Sequence, residues 1–404
     1  MRRSPPNGRP RAAAIGFSFD TFVRELSRDK RLDGRRGKGL YVRRDQERAA
    51  SSPKQQRRRP IDVDAPTGGA RVTRPSGRGE WERAKYANRE GDGYRTDGRD
   101  ARRPSRESFS KVTMGFESAG ERCSGWLYRP DRPAEPPVVV MAGGLAGERS
   151  FGLPAYAERL AEAGYAVFLF DYRNHGDSDG DPRNLVSPAR QRTDWEAAVE
   201  SVRGLDDLDT TRLVLWGTDI GGGHALDVAA DDPRVRAVVA QTPVLSGRSF
   251  LSTRGLGFVA KSVFSGVRDR LQSLLTDPHT VPVAGDPEEF ALVSTPGARR
   301  GYLDTVPSDT DWDNETPARS LLNLVRFSAG DDLESVACPV LVVGGTRDDV
   351  VPVDGVESAA DALSDATFLR LPTGHFDVYE GRGRDSVVGH GLAFLEGEVG
   401  DADR

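Results

Sequence analysis

Residues Leu213–Leu226 read LVLWGTDIGGGHAL, and this stretch decides the fold. The apolar run Leu213–Trp216 ends in small residues, and a helical pattern of alanine and leucine follows directly. Gly217 and Gly221 stand two residues to either side of Asp219. This spacing predicts a strand, a strained tight turn and a helix, the arrangement known as a nucleophile elbow. The N–H groups at the start of the helix would face any negative charge at the turn.

The sequence around this stretch alternates between apolar strands and amphipathic helices. The first two predicted strands, which should pair with each other, are Val112–Glu117 and Arg122–Tyr128. The further predicted strands are Pro137–Met141, Tyr165–Phe170, Val235–Ala240, Pro339–Val343 and Thr367–Leu371. Helices are predicted between and after the strands: Tyr156–Ala163, Pro188–Arg203, Val356–Leu363 and Val387–Leu395. Strands that alternate with helices at this spacing predict the α/β class, with a doubly wound and mainly parallel sheet.

The alternation stops between about residues 241 and 337. Two segments there, Leu256–Leu275 and Ala318–Arg326, have helical patterns, and the rest is loop-rich. The stretch is too long for an ordinary connection. We therefore expect a helical lid, inserted into the domain and lying over the site.

Residues 1–108 form a basic extension with little apolar periodicity. Residues 1–110 hold 29 Lys and Arg against 15 Asp and Glu, a net charge of +14. Such a segment buries too little apolar area to offset its chain entropy, so we expect disorder, with the folded domain at residues 109–404. The run Arg57–Arg59 leaves nucleic-acid binding by this extension open as an alternative. A translation start near Met114 is a second open interpretation.

The remaining 294 residues hold 28 Lys and Arg against 47 Asp and Glu, a net charge of −19. A body this acidic repels nucleic acid. No apolar run reaches the roughly 20 residues that span a bilayer, and no cleavable signal follows Met1, so we expect a cytoplasmic protein without a membrane partner. Cys123 and Cys338 indicate neither a disulfide framework nor a metal site, and no cofactor is predicted. The oligomeric state stays open.

Three side chains suited to hydrolytic chemistry follow predicted strands, in the order nucleophile, acid and histidine. Asp219 follows the elbow strand. Asp348 lies in GGTRDDVVP after a later strand, and His375 lies in TGHF after the last one. The carboxyl ends of parallel strands meet at one edge of a sheet, so these side chains should converge. Hydrolysis of a carbonyl needs such a nucleophile, a proton-shuttling imidazole and an orienting carboxylate.

Two further choices complete the predicted site. Asp348 is preferred to Asp349 as the acid because of its spacing to Pro352. The glycine-rich loop at residues 142–147 can bring backbone N–H groups close to a ligand, so Leu145 and Ile220 are predicted to form the oxyanion hole through their N–H groups.

The sequence also contains a literal G-x-S-x-G match at Gly176–Gly180. Asp181 and Pro182 follow it without a helix start, and carboxylates surround Ser178, which disfavours an oxyanion there. We interpret this match as a loop. His175 and His224 are interpreted as structural or supporting residues rather than catalytic ones.

From about Lys111 to its C-terminus, the chain resembles the α/β-hydrolase superfamily. More narrowly, it is similar to the dienelactone-hydrolase-like and polyketide-transesterase-like branch. The segments that carry this resemblance read GLPAYAERL at 152–160, DYRNHG at 171–176, LWGT at 215–218, GGGH at 221–224 and EFAL at 289–292. The resemblance implies a hydrolase or acyltransferase of esters or thioesters, with Asp348 as acid and His375 as base. Where that family places its nucleophilic serine, this chain has Asp219.

An aspartate at this position changes the chemistry. Attack of a carboxylate on an ester carbonyl would give an anhydride, which is too energetic for a useful intermediate. Attack on an sp³ carbon would give an alkyl ester that water, activated by His375, could hydrolyse. Haloalkane dehalogenases and epoxide hydrolases of the superfamily use an elbow aspartate in this way. However, Ile220 replaces the tryptophan that many dehalogenases have, and Tyr302 is the one tyrosine of the lid, where epoxide opening generally uses two.

The sequence thus predicts a hydrolase of a small-molecule ester or thioester that acts through the elbow residue, Asp348 and His375. One alternative is an Asp219-nucleophile hydrolase of alkyl halides or epoxides. Another, from a different class, is a hydrolase-like binding protein silenced by the loss of the serine.

Overall fold

A mainly parallel, nine-stranded sheet forms the centre of the fold in the computed structural model, which describes Ile61–Asp62 and residues 108–252 and 254–400. The strands in chain order are β1 (Ile61–Asp62), β2 (Phe109–Ser118), β3 (Glu121–Pro130), β4 (Pro137–Ala142), β5 (Ala166–Phe170), β6 (Asp209–Thr218), β7 (Ala237–Gln241), β10 (Val340–Gly345) and β11 (Ala366–Leu371). Across the sheet the order is β1-β11-β10-β7-β6-β4-β5-β3-β2. Strand β3 pairs antiparallel with β2 and β5, and the other neighbours pair in parallel.

Helices cover both faces of this sheet: α1 (Pro154–Glu162), α2 (Pro188–Arg203), α3 (Ile220–Asp231), α8 (Val353–Ala362) and α9 (Gly381–Val399). Along β4, Val138 belongs to the same apolar layer as Trp195 of α2, while its neighbour Val139 belongs to the opposite layer, with Tyr156 of α1. Successive strand residues point to opposite faces, so a strand covered on both sides needs a continuous apolar run. The predicted doubly wound α/β fold is confirmed. None of the helices described is long and apolar enough to cross a membrane.

The region between β7 and β10 holds the predicted lid elements. Its helices are α4 (Gly247–Ser252), α5 (Gly255–Gln272), α6 (Ala298–Asp304) and α7 (Arg319–Leu324). It also contains a small antiparallel sheet of β8 (Thr280–Pro282) and β9 (Glu315–Pro317), which the sequence did not predict. Three-residue strands are too short to show an alternating pattern, which explains why they were missed. Leu292, Tyr302 and Leu321 of this region belong to an apolar cluster that it shares with Leu145 and Ile220.

Two residues of the predicted basic extension lie at the edge of the sheet. Ile61 and Asp62 pair in parallel with Leu369 and Arg370 of β11. The remainder of the extension, residues 1–60 and 63–107, lies outside the described residues, so its predicted disorder stays a prediction. Met114, the possible alternative start, lies inside β2 and pairs with Gly125 of β3.

A chain that begins at Ser108 is expected to melt within about 3 °C of the full-length protein. The deletion removes one two-residue strand pairing, and each net hydrogen bond contributes only about 1 kcal/mol. Differential scanning calorimetry of the two chains measures the change. A fall of many degrees would show that the extension packs on the domain far more extensively than through β1.

Candidate active site

Asp219 lies at the sharp turn between β6 and α3 that the sequence predicted. Its backbone has φ 54° and ψ −123°, a conformation that side-chain-bearing residues rarely adopt and that functional sites often retain. Gly217 permits the turn, because a Cβ at this position would overlap the carbonyl group of Gly221. The steric demand of the elbow therefore explains the glycine spacing, and the turn directs the Asp219 side chain out of the strand.

His375 and Asp348 form a hydrogen-bonded pair beside the elbow. The His375 Nδ1 atom lies 2.8 Å from Asp348 Oδ2, and both side chains are buried. The other carboxylate oxygen, Asp348 Oδ1, accepts hydrogen bonds from the N–H groups of Val350 and Val351 at 2.8 and 2.7 Å. These bonds fix the carboxylate in position. Asp349, the alternative in the sequence, is exposed instead.

The carboxylate of Asp219 lies in the predicted oxyanion hole. The N–H of Leu145 donates to Asp219 Oδ2 at 2.7 Å, across 74 residues of sequence. A hydrogen bond from the N–H of Ile220 also lowers the pKa of Asp219. Gly144 makes this approach possible, since a Cβ there would lie 2.8 Å from Asp219 Oδ2. The two N–H groups predicted to bind a substrate oxyanion thus bind the protein's own carboxylate.

Two contacts hold the loop that carries Leu145. The Tyr302 hydroxyl, from the lid, donates to the Leu145 carbonyl oxygen at 2.9 Å. A few residues further on, the N–H of Arg149 donates to Asp171 Oδ1 at 2.6 Å, and the Arg149 guanidinium forms a buried ion pair with the same carboxylate. Asp171 begins the DYRNHG segment at the end of β5. That segment therefore ties the oxyanion loop to the sheet.

Burial and neighbouring charges set the protonation of the site. Burial raises the pKa of Asp219, and His375 and the Leu145 N–H partly oppose this effect. Burial alone would lower the pKa of His375, but the Asp348 and Asp219 carboxylates outweigh it and raise the pKa above its usual value. An imidazole held this way is a stronger base toward a nearby water molecule.

A cavity with about 490 Å³ of empty space, part of it at an open mouth, lies over Asp219 and His375. The oxyanion loop forms one wall, and Phe250, Val293 and Tyr302 of the lid form another. Residues between β7 and β10 thus lie beside Asp219 and His375, and their role as a lid stays a prediction.

Several residues that line the cavity were not found from the sequence. Tyr379 is a second tyrosine beside Tyr302, and its hydroxyl donates to Thr218 Oγ1 at 3.0 Å. Burial raises the pKa of both tyrosines, so both hydroxyls keep their protons at neutral pH. Glu148 also lines the wall. One local signal could have identified Tyr379: it follows His375 by four residues in the sequence.

The residues interpreted as structural lie in the interior. Ser178 of the G-x-S-x-G match is buried in a loop, where its hydroxyl donates to the Asp171 carbonyl and accepts from the Ser124 N–H. Burial lowers the pKa of His175 to about 4 and that of His224 to about 3, so both are neutral. The loop prediction for Ser178 is confirmed. The two cysteines are likewise buried and unpaired.

The nine-stranded sheet with its strand–turn–helix elbow at Asp219 is the fold of a hydrolase. The chain belongs to the α/β-hydrolase fold family, whose family model matches residues 136–382. The predicted superfamily is thereby confirmed.

Several named proteins are similar to this chain in sequence or in structure. The chain is 36% identical over 286 residues to the quorum-quenching protein AidA of Acinetobacter baumannii, covering 70% of this chain and 94% of AidA. It is 33% identical over 246 residues to thiohydrolase apmlB of Arthrinium phaeospermum, covering 58% of this chain and 78% of apmlB. The solved structure of DcsB with its substrate analogue matches with a TM-score of 0.65 at 25% identity, covering 72% of this chain and all of DcsB.

Proposed function

We propose that this hydrolase cleaves a small-molecule alkyl electrophile through a covalent ester on Asp219. The observation that supports the proposal is the hydrogen bond from the Leu145 N–H to Asp219 Oδ2. This bond holds Oδ2 in the oxyanion hole, and in the proposed reaction the other carboxylate oxygen, Oδ1, attacks a molecule in the cavity. A substrate carbonyl oxygen would need the place that Oδ2 occupies, so the geometry favours attack on an sp³ carbon over attack on an ester.

In the first step, Asp219 Oδ1 forms a bond to the electrophilic carbon, and the bond from that carbon to its leaving group breaks. The Tyr379 hydroxyl on the cavity wall can turn from Thr218 Oγ1 and give its proton to an oxygen leaving group, whereas the Leu145 carbonyl oxygen holds the proton of Tyr302. The raised pKa of Tyr379 keeps this donor protonated. Such a hydroxyl favours an epoxide over an alkyl halide, because the opened epoxide oxygen needs a proton and a halide does not.

In the second step, water attacks the carboxyl carbon of the Asp219 ester and gives its proton to His375. Charge develops on Oδ2, where the N–H groups of Leu145 and Ile220 stabilise it. The bond from the carboxyl carbon to the alkyl oxygen then breaks, and this oxygen takes the second proton of the attacking water, so that the alcohol leaves and Asp219 is again a carboxylate. Proton return from His375 to the tyrosinate restores the site. Asp348 orients the imidazole throughout and stabilises its charged form.

A second candidate is the hydrolysis of an ester or thioester, as the sequence predicted. The relationship to a protein named thiohydrolase favours it. For this candidate, the Asp219 carboxylate would have to leave the oxyanion hole before a substrate carbonyl could enter.

A His375→Gln variant is expected to accumulate a covalent adduct, because the first step needs no base and the second step does. The variant is incubated with panels of epoxides, haloalkanes, acyl esters and acyl thioesters, and its intact mass is measured. We expect one equivalent of the electrophile, located by digestion in the tryptic peptide Leu213–Arg234, which contains Asp219.

The matched control carries Asp219→Asn together with His375→Gln and is expected to show no added mass. An adduct on any other residue would refute the proposal. The absence of adduct and of turnover with every panel would instead support the silenced, binding-protein alternative.

A further inference from the structure

Tyr302 of α6 has a buried hydroxyl that takes no direct part in the proposed reaction. This hydroxyl donates to the carbonyl oxygen of Leu145 at 2.9 Å, and both residues are buried. In the described part of the chain, no other group donates to this carbonyl oxygen. A buried carbonyl that loses its one partner is costly, so the Tyr302 proton is committed to the main chain of the oxyanion loop.

The Leu145 carbonyl belongs to a tight and strained turn. The N–H of Gly147 donates to the Gly144 carbonyl oxygen at 3.2 Å, which closes a four-residue β-turn. Ala146, the third residue of this turn, has φ 55°. A positive φ at this position favours glycine or asparagine, because a Cβ crowds the backbone there. Strained residues of this kind persist only where the surrounding structure holds them.

The contact from Tyr302 acts directly on the strained part of the turn. The Leu145 carbonyl lies in the peptide unit between Leu145 and Ala146, and rotation of that unit changes φ of Ala146. A relaxed turn would therefore direct this carbonyl away from the Tyr302 hydroxyl. The same turn carries the Leu145 N–H, which donates to Asp219 Oδ2 at 2.7 Å. The hydrogen bond from Tyr302 thus stabilises the form of the loop in which the oxyanion hole is complete.

Aromatic packing around α6 fixes the direction of the Tyr302 hydroxyl. The Tyr302 ring stacks on Trp312, with 5.6 Å between the ring centroids. The rings of Phe151 and Phe376 lie roughly perpendicular to it, with centroids at 6.3 and 5.9 Å. Gly301 lets α6 approach Phe376 closely, because a Cβ at Gly301 would lie 2.7 Å from Phe376 Cδ2. Phe376 directly follows the catalytic histidine, so one short helix contacts both the oxyanion loop and the histidine loop.

We propose that Tyr302 is a positioning residue, which acts on the reaction through Leu145 and not through contact of its hydroxyl with the substrate. Its hydrogen bond selects the strained turn at Ala146, and this turn presents the Leu145 N–H to Asp219 Oδ2. This role rests on the proposed function, since the N–H stabilises charge that develops when the Asp219 ester is hydrolysed. Tyr379 is then the tyrosine that gives its proton to the leaving group.

A Tyr302→Phe variant of the full-length protein keeps the ring and removes only the hydroxyl. We expect kcat on the epoxide panel to fall by about 10- to 100-fold, the effect of one buried hydrogen bond, while KM changes by less than about 3-fold because the cavity wall is kept. Ala146→Gly in the same chain should recover about 5-fold or more of kcat, because glycine adopts a positive φ without strain. A loss of kcat that Ala146→Gly leaves unchanged would assign Tyr302 as a proton donor to the substrate and would overturn the proposal.

Thr316→Val is the matched control. Like Tyr302, Thr316 has a hydroxyl that donates to a main-chain carbonyl oxygen, that of Asn184 at 2.7 Å, but Thr316 does not line the cavity. The variant should lower the melting temperature, as Tyr302→Phe should, and keep kcat within about 2-fold of the parent. A comparable fall of kcat in Thr316→Val would show that Tyr302→Phe acts through stability, which would overturn the proposal.

Amide hydrogen exchange, followed by mass spectrometry, tests the turn without any turnover. The Leu145 N–H is buried and hydrogen-bonded, so it should exchange slowly in the parent. In peptides that cover residues 143–149, Tyr302→Phe should speed this exchange by about 10-fold or more, and Ala146→Gly in the same chain should slow it again. Unchanged exchange in Tyr302→Phe would overturn the proposal. Faster exchange that Ala146→Gly reverses, in a protein whose parent turns over no panel, would support the role of Tyr302 in the turn and refute the proposed function alone.

Discussion

An Asp219→Ser variant is expected to gain hydrolysis of short acyl esters and to lose all turnover of alkyl electrophiles. Removal of the carboxylate frees the N–H groups of Leu145 and Ile220 for a substrate carbonyl oxygen. The serine hydroxyl would stand at the elbow beside His375, whose partner Asp348 is already in place. Preorganised donors and a proton relay together support an increase of about 1,000-fold or more over the parent on p-nitrophenyl acetate.

The loss of alkyl turnover follows from the same change. A serine that attacks an sp³ carbon forms an ether, which water does not hydrolyse, whereas the Asp219 ester can be hydrolysed. Steady-state kinetics on both substrate classes measure the two effects. Asp219→Asn is the matched control, since it keeps the size of the side chain and should be inactive on both classes. Retained turnover of epoxides by Asp219→Ser would show that Asp219 is not the nucleophile.

An Asp348→Asn variant is expected to lose about 1,000- to 10,000-fold in kcat, while Asp349→Asn stays within a factor of about 3 of the parent. The carboxylate of Asp348 lies 2.8 Å from His375 Nδ1, whereas the side chain of Asp349 faces solvent. An amide at position 348 can present its NH₂ group to Nδ1 and favour the wrong tautomer. Both substitutions replace a carboxylate with an amide, and they do so at neighbouring positions. Each variant is therefore the control for the other.

The pH dependence of turnover should distinguish the same two residues. His375 must be neutral to accept a proton from water, so kcat should rise with pH through a pKa above the usual histidine value of 6.5. Loss of the Asp348 charge leaves burial as the main influence on this pKa, and burial lowers it. The rising limb of any residual activity in Asp348→Asn should therefore move to lower pH. An unchanged limb would assign it to a group other than His375.

The sequence by itself determined those strands, helices and turns that depend on interactions between residues close together in the chain. A continuous apolar run such as that of β4 has to be covered on both faces, and the glycines beside Asp219 satisfy steric demands within a few residues of the turn. Helix α2 spans Pro188–Arg203, with the bounds that its pattern predicted. The order of Asp219, Asp348 and His375 after their strands placed them at one edge, since parallel strands end there together.

Contacts between distant segments could not be predicted in this way. The position of Asp219 Oδ2 against the Leu145 N–H depends on how closely the loop at Gly144 approaches the elbow, a distance that no local pattern encodes. Tyr379 and Tyr302 reach one cavity from separate elements, and β1 is too short to have a periodic signal. Nor does the sequence distinguish an apolar helical face that is buried from one that is exposed, because both repeat every three to four residues. Only the packing of α5 on α7, fixed by Asp269 and Arg319, decided which face of α5 is buried.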